Sequence, residues 1–164
     1  MLQPHEIEAR LSSIWEALAR ESRTFRLVVN GPGTATAEGD RRIVLPLGLD
    51  DASRRAGVAL VISREDAETL ASVMFDLEPA ELSQSDIDDA CAEACNVFSG
   101  CLVEYLPCGN LADIGLPEAM ALDGYRLVSL ASGIRALFEA REQNRKLVVI
   151  LFDPMSGYEP GGAV

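Results

Sequence analysis

Apolar and polar positions follow two different periods along this chain, and each change of period marks a new element. Over residues 4–21, Ile7, Leu11, Ile14, Trp15 and Leu18 recur at helical spacing and predict an amphipathic first helix. A short β-type run at 25–29 is broken by Gly31-Pro32-Gly33. The apolar runs at 43–47 and 58–62, separated by polar, glycine-bearing turns, read as two further strands. Ser63 then stands as a helix N-cap with Asp66 at the third helical position. It opens a helix through Ala67, Leu70, Ala71, Met74 and Phe75, and Pro79 closes that region.

A third helix is predicted over 83–106, capped by Ser83 or Ser85 and ended by Pro107 and Gly109. At about 100° per residue, Asp86, Asp89, Glu93, Asn96, Gly100 and Glu104 share one stripe. Ile87, Cys91, Ala94, Phe98, Leu102 and Tyr105 lie opposite and predict the packing face. Beyond it come an extended segment near Ile114 and strand-like runs at 125–130, 134–138 and 147–152. The last two are joined by a charged turn at Arg141-Glu142-Gln143-Asn144. Residues 134–142 fit a helix as well as a strand, and periodicity leaves both open. The Gly- and Pro-rich residues 155–164 predict a disordered tail, which leaves 1–154 as a single domain. The order of elements fits an α+β fold with long helices packed on one face of a largely antiparallel sheet.

Composition narrows the function classes. A chain of 164 residues, 48% hydrophobic, is long enough to bury roughly 70% of its unfolded surface. Pro4, His5, Glu6, Glu8 and Arg10 interrupt any N-terminal apolar run, and no apolar stretch approaches the ~20 residues that span a bilayer. A soluble, cytoplasmic protein is expected. The formal charge of −12 argues against nucleic acid and against anionic membrane surfaces as partners, and the bases are scattered as Arg41-Arg42, Arg54-Arg55 and Arg145-Lys146.

Four cysteines, Cys91, Cys95, Cys101 and Cys108, fall in or just after the third helix. Cys91 and Cys95 are four apart and could chelate a metal, but the only histidine, His5, is remote and the spacing matches no common zinc pattern. Cysteine is also among the most buried residue types, so core packing is the competing reading. No metal site is assigned. The outward stripe likewise admits two readings. It is a solvated acidic face, or it is a surface on which a carboxylate and a carboxamide three residues apart, with a glycine one turn further on, engage another protein's reactive site.

The segment Asp89-Ala-Cys-Ala-Glu93-Ala-Cys-Asn96 resembles the D-x3-E-x2-N signature of the CheC/CheX/FliY chemotaxis phosphatases, and Pro117 resembles the proline that follows it. Residues 57–63 followed by Ala67, Leu70, Ala71 and Met74 resemble the strand-then-helix unit of that family, so the similarity covers about 25–153. The gap from Asn96 to Pro117 is a little shorter than the family's spacing. Residues 4–21 contain no asparagine, so the second motif copy of CheC-type members is missing. One site per chain is expected, as in CheX-like members, and that similarity also implies a homodimer.

The resemblance implies a CheC-like fold and assisted hydrolysis of the aspartyl phosphate on a CheY-like receiver domain. The receiver would supply the phosphoaspartate, a Mg2+ ion and a lysine, so no cofactor is expected in this chain. By the same resemblance Glu93 and Asn96 are the catalytic pair: Asn96 would hold the attacking water in line with phosphorus, and Glu93 would pair with the receiver's lysine. Asp89, Gly100 and Pro117 are the expected partner-binding residues, with Gly100, and with it Ala92, letting two backbones approach. Two alternatives stand beside this one. The first is a non-catalytic receiver-binding or flagellar-switch-like domain of the same fold, as in FliM, which lacks the catalytic pair. The second is a cysteine-based metal or redox protein.

Overall fold

A computed structural model of the chain describes residues 3–29, 39–49, 55–104, 111–114, 116–119 and 134–152. Among these residues three α-helices, α1 (Pro4–Ala19), α2 (Arg64–Phe75) and α3 (Gln84–Val103), accompany seven strands. The strands are β1 (Arg26–Leu27), β2 (Arg41–Leu49), β3 (Arg55–Ile62), β4 (Leu111–Ile114), β5 (Glu118–Ala119), β6 (Ile134–Glu142) and β7 (Arg145–Phe152). They form one sheet in the order β1-β6-β7-β3-β2-β4, with β5 also on β2, and every pairing is antiparallel. The expected strand at 125–130 and the tail at 155–164 lie outside the described residues.

The segment 134–142, open between helix and strand, is a strand. It pairs with β7 on one side and β1 on the other, so tertiary pairing overrides the helix propensity of its Ala, Leu, Glu and Arg residues. Its hairpin with β7 turns at Gln143-Asn144, where Gln143 takes the left-handed conformation, φ 53°, that a tight two-residue turn requires. Pro46 sits inside β2, where a missing N–H would break a ladder. On that strand β5 pairs with Ile43 and Val44 and β4 with Leu47 to Leu49, so Pro46 falls between them.

Alternate residues of each strand face the helices. Ile43, Leu45 and Leu47 of β2, Val58, Leu60 and Ile62 of β3, and Leu147, Val149 and Leu151 of β7 join Trp15, Leu70, Phe98 and Leu102 in the main core. The other face is withdrawn from solvent too: Val44, Ala59, Val61, Val148, Ile150 and Phe152 form a second buried cluster. Burial on both faces explains why 58–62 and 147–152 are continuous apolar runs. Gly57 has a packing reason of its own, since a Cβ there would lie 2.6 Å from the ring of Phe152, its cross-strand partner.

A cluster of charge joins the helices to the sheet. Asp66 is 1% exposed in its side chain and accepts from Arg23 at 2.9 Å; it also pairs with Arg145 and takes the Ser63 hydroxyl at 2.8 Å. Arg145 in turn donates two hydrogen bonds of 2.9 Å to Glu21, and Arg23 pairs with Glu142. The end of α1, the start of α2 and the β6-β7 hairpin are thereby tied at one point. Such a cluster fixes geometry more than it adds stability, because burying each charge costs about what the pairing returns.

Candidate functional site on the third helix

The start of α3 is set by local chemistry. The Ser83 hydroxyl accepts from the Asp86 N–H at 3.2 Å, and the Asp86 carboxylate accepts from the Ser83 N–H at 2.8 Å, a reciprocal capping box. The Ser83 hydroxyl, then its N–H, hold the Asp86 carboxyl below the usual range. Of the two possible caps, Ser83 is the one used. The helix ends at Val103, before the expected 106, and Pro107 and Gly109 lie outside the described residues.

Packing then fixes how α3 is rotated. Ala90, Cys91, Ala94, Cys95, Phe98 and Leu102 are 0% exposed, and α3 rests on β2 and β3 with α1 and α2 alongside. The ring of Phe98 packs edge-on to that of Phe25, and the thiol of Cys95 approaches the Ile43 carbonyl at 3.9 Å. Burial pushes the thiols of Cys91 and Cys95 up to about 12, and raises that of Cys101. These three cysteines behave as core residues, and no group of metal-ligating side chains occurs among the described residues. Cys108 lies outside them.

With that face buried, the opposite stripe is turned to solvent, and its members divide into two kinds. The terminal members serve the fold. Asp86 completes the cap, and Glu104 takes an ion pair of 2.6 Å from Arg10 that links the end of α3 to α1. The neighbouring Asp88, off the stripe, is also engaged, by Arg41 at 3.1 Å and Gln84 at 2.9 Å. The middle members serve no contact of that kind among the described residues. Asp89, Glu93 and Asn96 are exposed, and among the described residues none has a side-chain hydrogen bond or ion pair.

Gly100 completes this middle section. A Cβ added there would meet nothing within 4 Å among the described residues, so none of them demands a glycine. A helix-interior glycine costs about 1 kcal/mol relative to alanine. The backbone positions of Glu93 and Asn96 stand about 4.5 Å apart along the axis, and that of Gly100 lies about 6 Å beyond Asn96. Pro117, half-buried, directly precedes β5, which lies against α3. The five residues expected from sequence thus fall on one helix face and on the strand segment beside it. The surface of α1 lies beside Gly100, a neighbour not expected from sequence. Its proximity comes from helix packing between residues some ninety positions apart, as the Arg10–Glu104 separation of 94 shows, and no local pattern signals that.

By sequence, no protein-family model and no curated protein matches the chain. By structure, the architecture is the α+β, CheC-like fold. The chain is similar to the chemotaxis protein CheX of Vibrio vulnificus, at 13% identity over 90% of this chain and 96% of that one, with a TM-score of 0.62. It is equally similar to a chain of the CheX–CheY complex of Borrelia burgdorferi holding BeF3 and Mg2+, at 16% identity over 94% of this chain and 100% of that one, TM-score 0.61. The middle domain of FliM from H. pylori shares the architecture more distantly, at 11% identity over 91% of this chain and 86% of that one, TM-score 0.50. Among the described residues no helix is long and apolar enough to cross a membrane.

Proposed function

We propose that this chain is a phosphatase that accelerates hydrolysis of the aspartyl phosphate on a CheY-like receiver domain, in chemotaxis or a related phosphorelay. It works in the cytoplasm as a homodimer with one site per chain. The observation that carries the reading is the division of the α3 stripe: its ends are used by the fold, while Asp89, Glu93, Asn96 and Gly100 remain presented with no partner among the described residues. The likeness of the fold to a CheX that is held with CheY, BeF3 and Mg2+ supports the choice of partner.

Glu93 pairs with a receiver lysine and sets the register of docking. Asn96 reaches the phosphorylated centre and holds a water through its carboxamide. The water oxygen forms a bond to phosphorus, the bond from phosphorus to the aspartyl oxygen breaks with its electron pair going to the carboxylate, and the water's protons pass to the phosphate product and solvent. The Mg2+ ion is the receiver's and offsets phosphoryl charge there. Positioning and charge stabilisation dominate phosphoryl transfer, so a neutral amide suits the task. A carboxylate at position 96 would set a full negative charge beside the phosphoryl group.

The FliM-like architecture favours a second reading, a receiver-binding domain without catalysis. Joint presentation of Glu93 and Asn96 weighs against it, since the FliM-like domain lacks that pair. Phosphate release from a panel of phosphorylated receivers of the same genome separates the two: acceleration that Asn96→Ala abolishes supports the phosphatase, and binding without acceleration supports the alternative.

A further inference from the structure

The outer face of α3 is too small to hold a partner alone. A helix of 20 residues is about 30 Å long and about 10 Å wide, so it offers roughly 300 Å2. An interface of standard size takes about 800 Å2 from each partner, and even a transient one several hundred. A protein that docks on Asn96 must also rest on a flanking element.

On the α1 side of the stripe the surface is hollow. Ala9, Ser13 and Ile14 of α1 and Gly100 and Cys101 of α3 line a groove of about 440 Å3, with the Arg10–Glu104 pair among its walls. The groove is continuous with the site through Gly100, where the added Cβ meets open space. Its floor is largely apolar, with Ala9 and Ile14 beside Cys101, which is only 7% exposed. Its two charges, Arg10 and Glu104, neutralise each other. Asp89 and Glu93 alongside have no such partner among the described residues.

We infer that the α1–α3 groove receives an uncharged, apolar segment of the same receiver that presents the phosphoaspartate, and that α1 thereby sets which receiver is accepted. The inference rests on the phosphatase reading and adds its specificity surface. The charge pattern matches one occupant: a protein surface with a basic group opposite Asp89 and Glu93 and an apolar stretch beside it. Gly100 leaves the room for that stretch to approach the α3 backbone.

The test fills the groove from α1 with Ser13→Trp and, separately, Ala9→Trp, both at exposed positions, with thermal melts to establish folding. The half-saturating concentration of phosphorylated receiver is expected to rise about tenfold or more with the maximal rate unchanged, the signature of lost docking. The dissociation constant of the same variants, each combined with Asn96→Ala, for a receiver loaded with beryllium fluoride and Mg2+ should rise by the same factor. Unchanged values in both folded variants of an otherwise active protein overturn the groove assignment and leave the role of Asn96 standing. A wild-type protein that neither binds nor dephosphorylates any receiver of the panel overturns both. A concentration-dependent dimer in sedimentation that Ser13→Trp breaks would give the groove to a second copy and also overturn the inference.

Discussion

The ring of Phe98 meets the ring of Phe25 edge-on, with centroids 5.7 Å apart and planes at 61°. Phe98 lies two residues from Asn96, about 200° round the helix. The contact therefore locks the rotation of α3 that carries Asn96 outward, and an aromatic pair of this kind adds about 0.5–1.5 kcal/mol beyond the area it buries.

Replacing Asn96 by alanine removes the water-holding amide and disturbs no packing. Accelerated phosphate release from a cognate receiver should fall by roughly 10²-fold, the scale of losing one preorganised catalytic contact, while the melting temperature and receiver binding stay as they are. Full activity in the variant would take the water-positioning role away from Asn96.

Glu93→Ala acts on docking instead. The half-saturating concentration of phosphorylated receiver should rise while the maximal rate falls less than for Asn96→Ala. A receiver whose lysine is replaced should show no further loss when combined with Glu93→Ala, and additive losses in that double-mutant cycle would rule out the pairing.

Asp66→Ala strips the shared acceptor from two arginines, one of them, Arg23, with a side chain 3% exposed. Breaking a buried pair from one side costs about 3–5 kcal/mol. The lower end is expected here because Arg23 keeps Glu21 and Glu142. The shift appears in the urea unfolding midpoint, and a change below about 1 kcal/mol would mean that the cluster is solvated.

Acid should loosen the same junction. Hydrogen bonds from Arg145 are the largest cause holding the Glu21 carboxyl below its ordinary 4.5, against opposing desolvation. With a depressed folded value, the contribution of Glu21 is complete above the ordinary pKa and disappears as pH falls through the lower, folded one. Glu21→Gln should therefore flatten the pH dependence of the unfolding free energy below about 4.5 and leave its slope at neutral pH unchanged. Parallel curves for the variant and the wild type would remove this linkage.

Cys91 and Cys95, with thiols pushed up to about 12, should resist alkylation at pH 8 in the folded protein and react after denaturation. Peptide mapping reads both sites at once. Rapid labelling of either in the native state would show that the packing face of α3 opens.

Local chemistry was legible before any coordinates. Ser63, three residues ahead of Asp66, names its helix start, and the start of α3 was narrowed to Ser83 or Ser85, because a cap needs only neighbours in sequence. The 3.6-residue period of α3 separated Phe98 from Asn96 correctly, since one face of that helix is fully buried. Residues 134–142 were ambiguous because Ala136, Leu137, Phe138 and Ala140 are all buried, and burial on both faces erases the alternation that distinguishes a strand. The second function of Asp66 was hidden altogether: its partners Arg23 and Arg145 stand 43 and 79 positions away, and charge pairing at that range leaves no trace in composition. For the same reason the stripe could be read from α3 alone, while the wall that α1 raises beside Gly100 could not.

The seat of α3 on the middle strands has a consequence for how the protein breathes. Cys95 sits against Ile43 of β2 and Leu60 of β3, strands whose own neighbours are buried above and below, so this helix has no route to fray independently of the sheet. Its backbone amides from Ala94 to Phe98 should exchange with deuterium only through global unfolding. The backbone that carries Asn96 then meets every partner in the same pose, and little main-chain ordering entropy is spent at the moment of encounter.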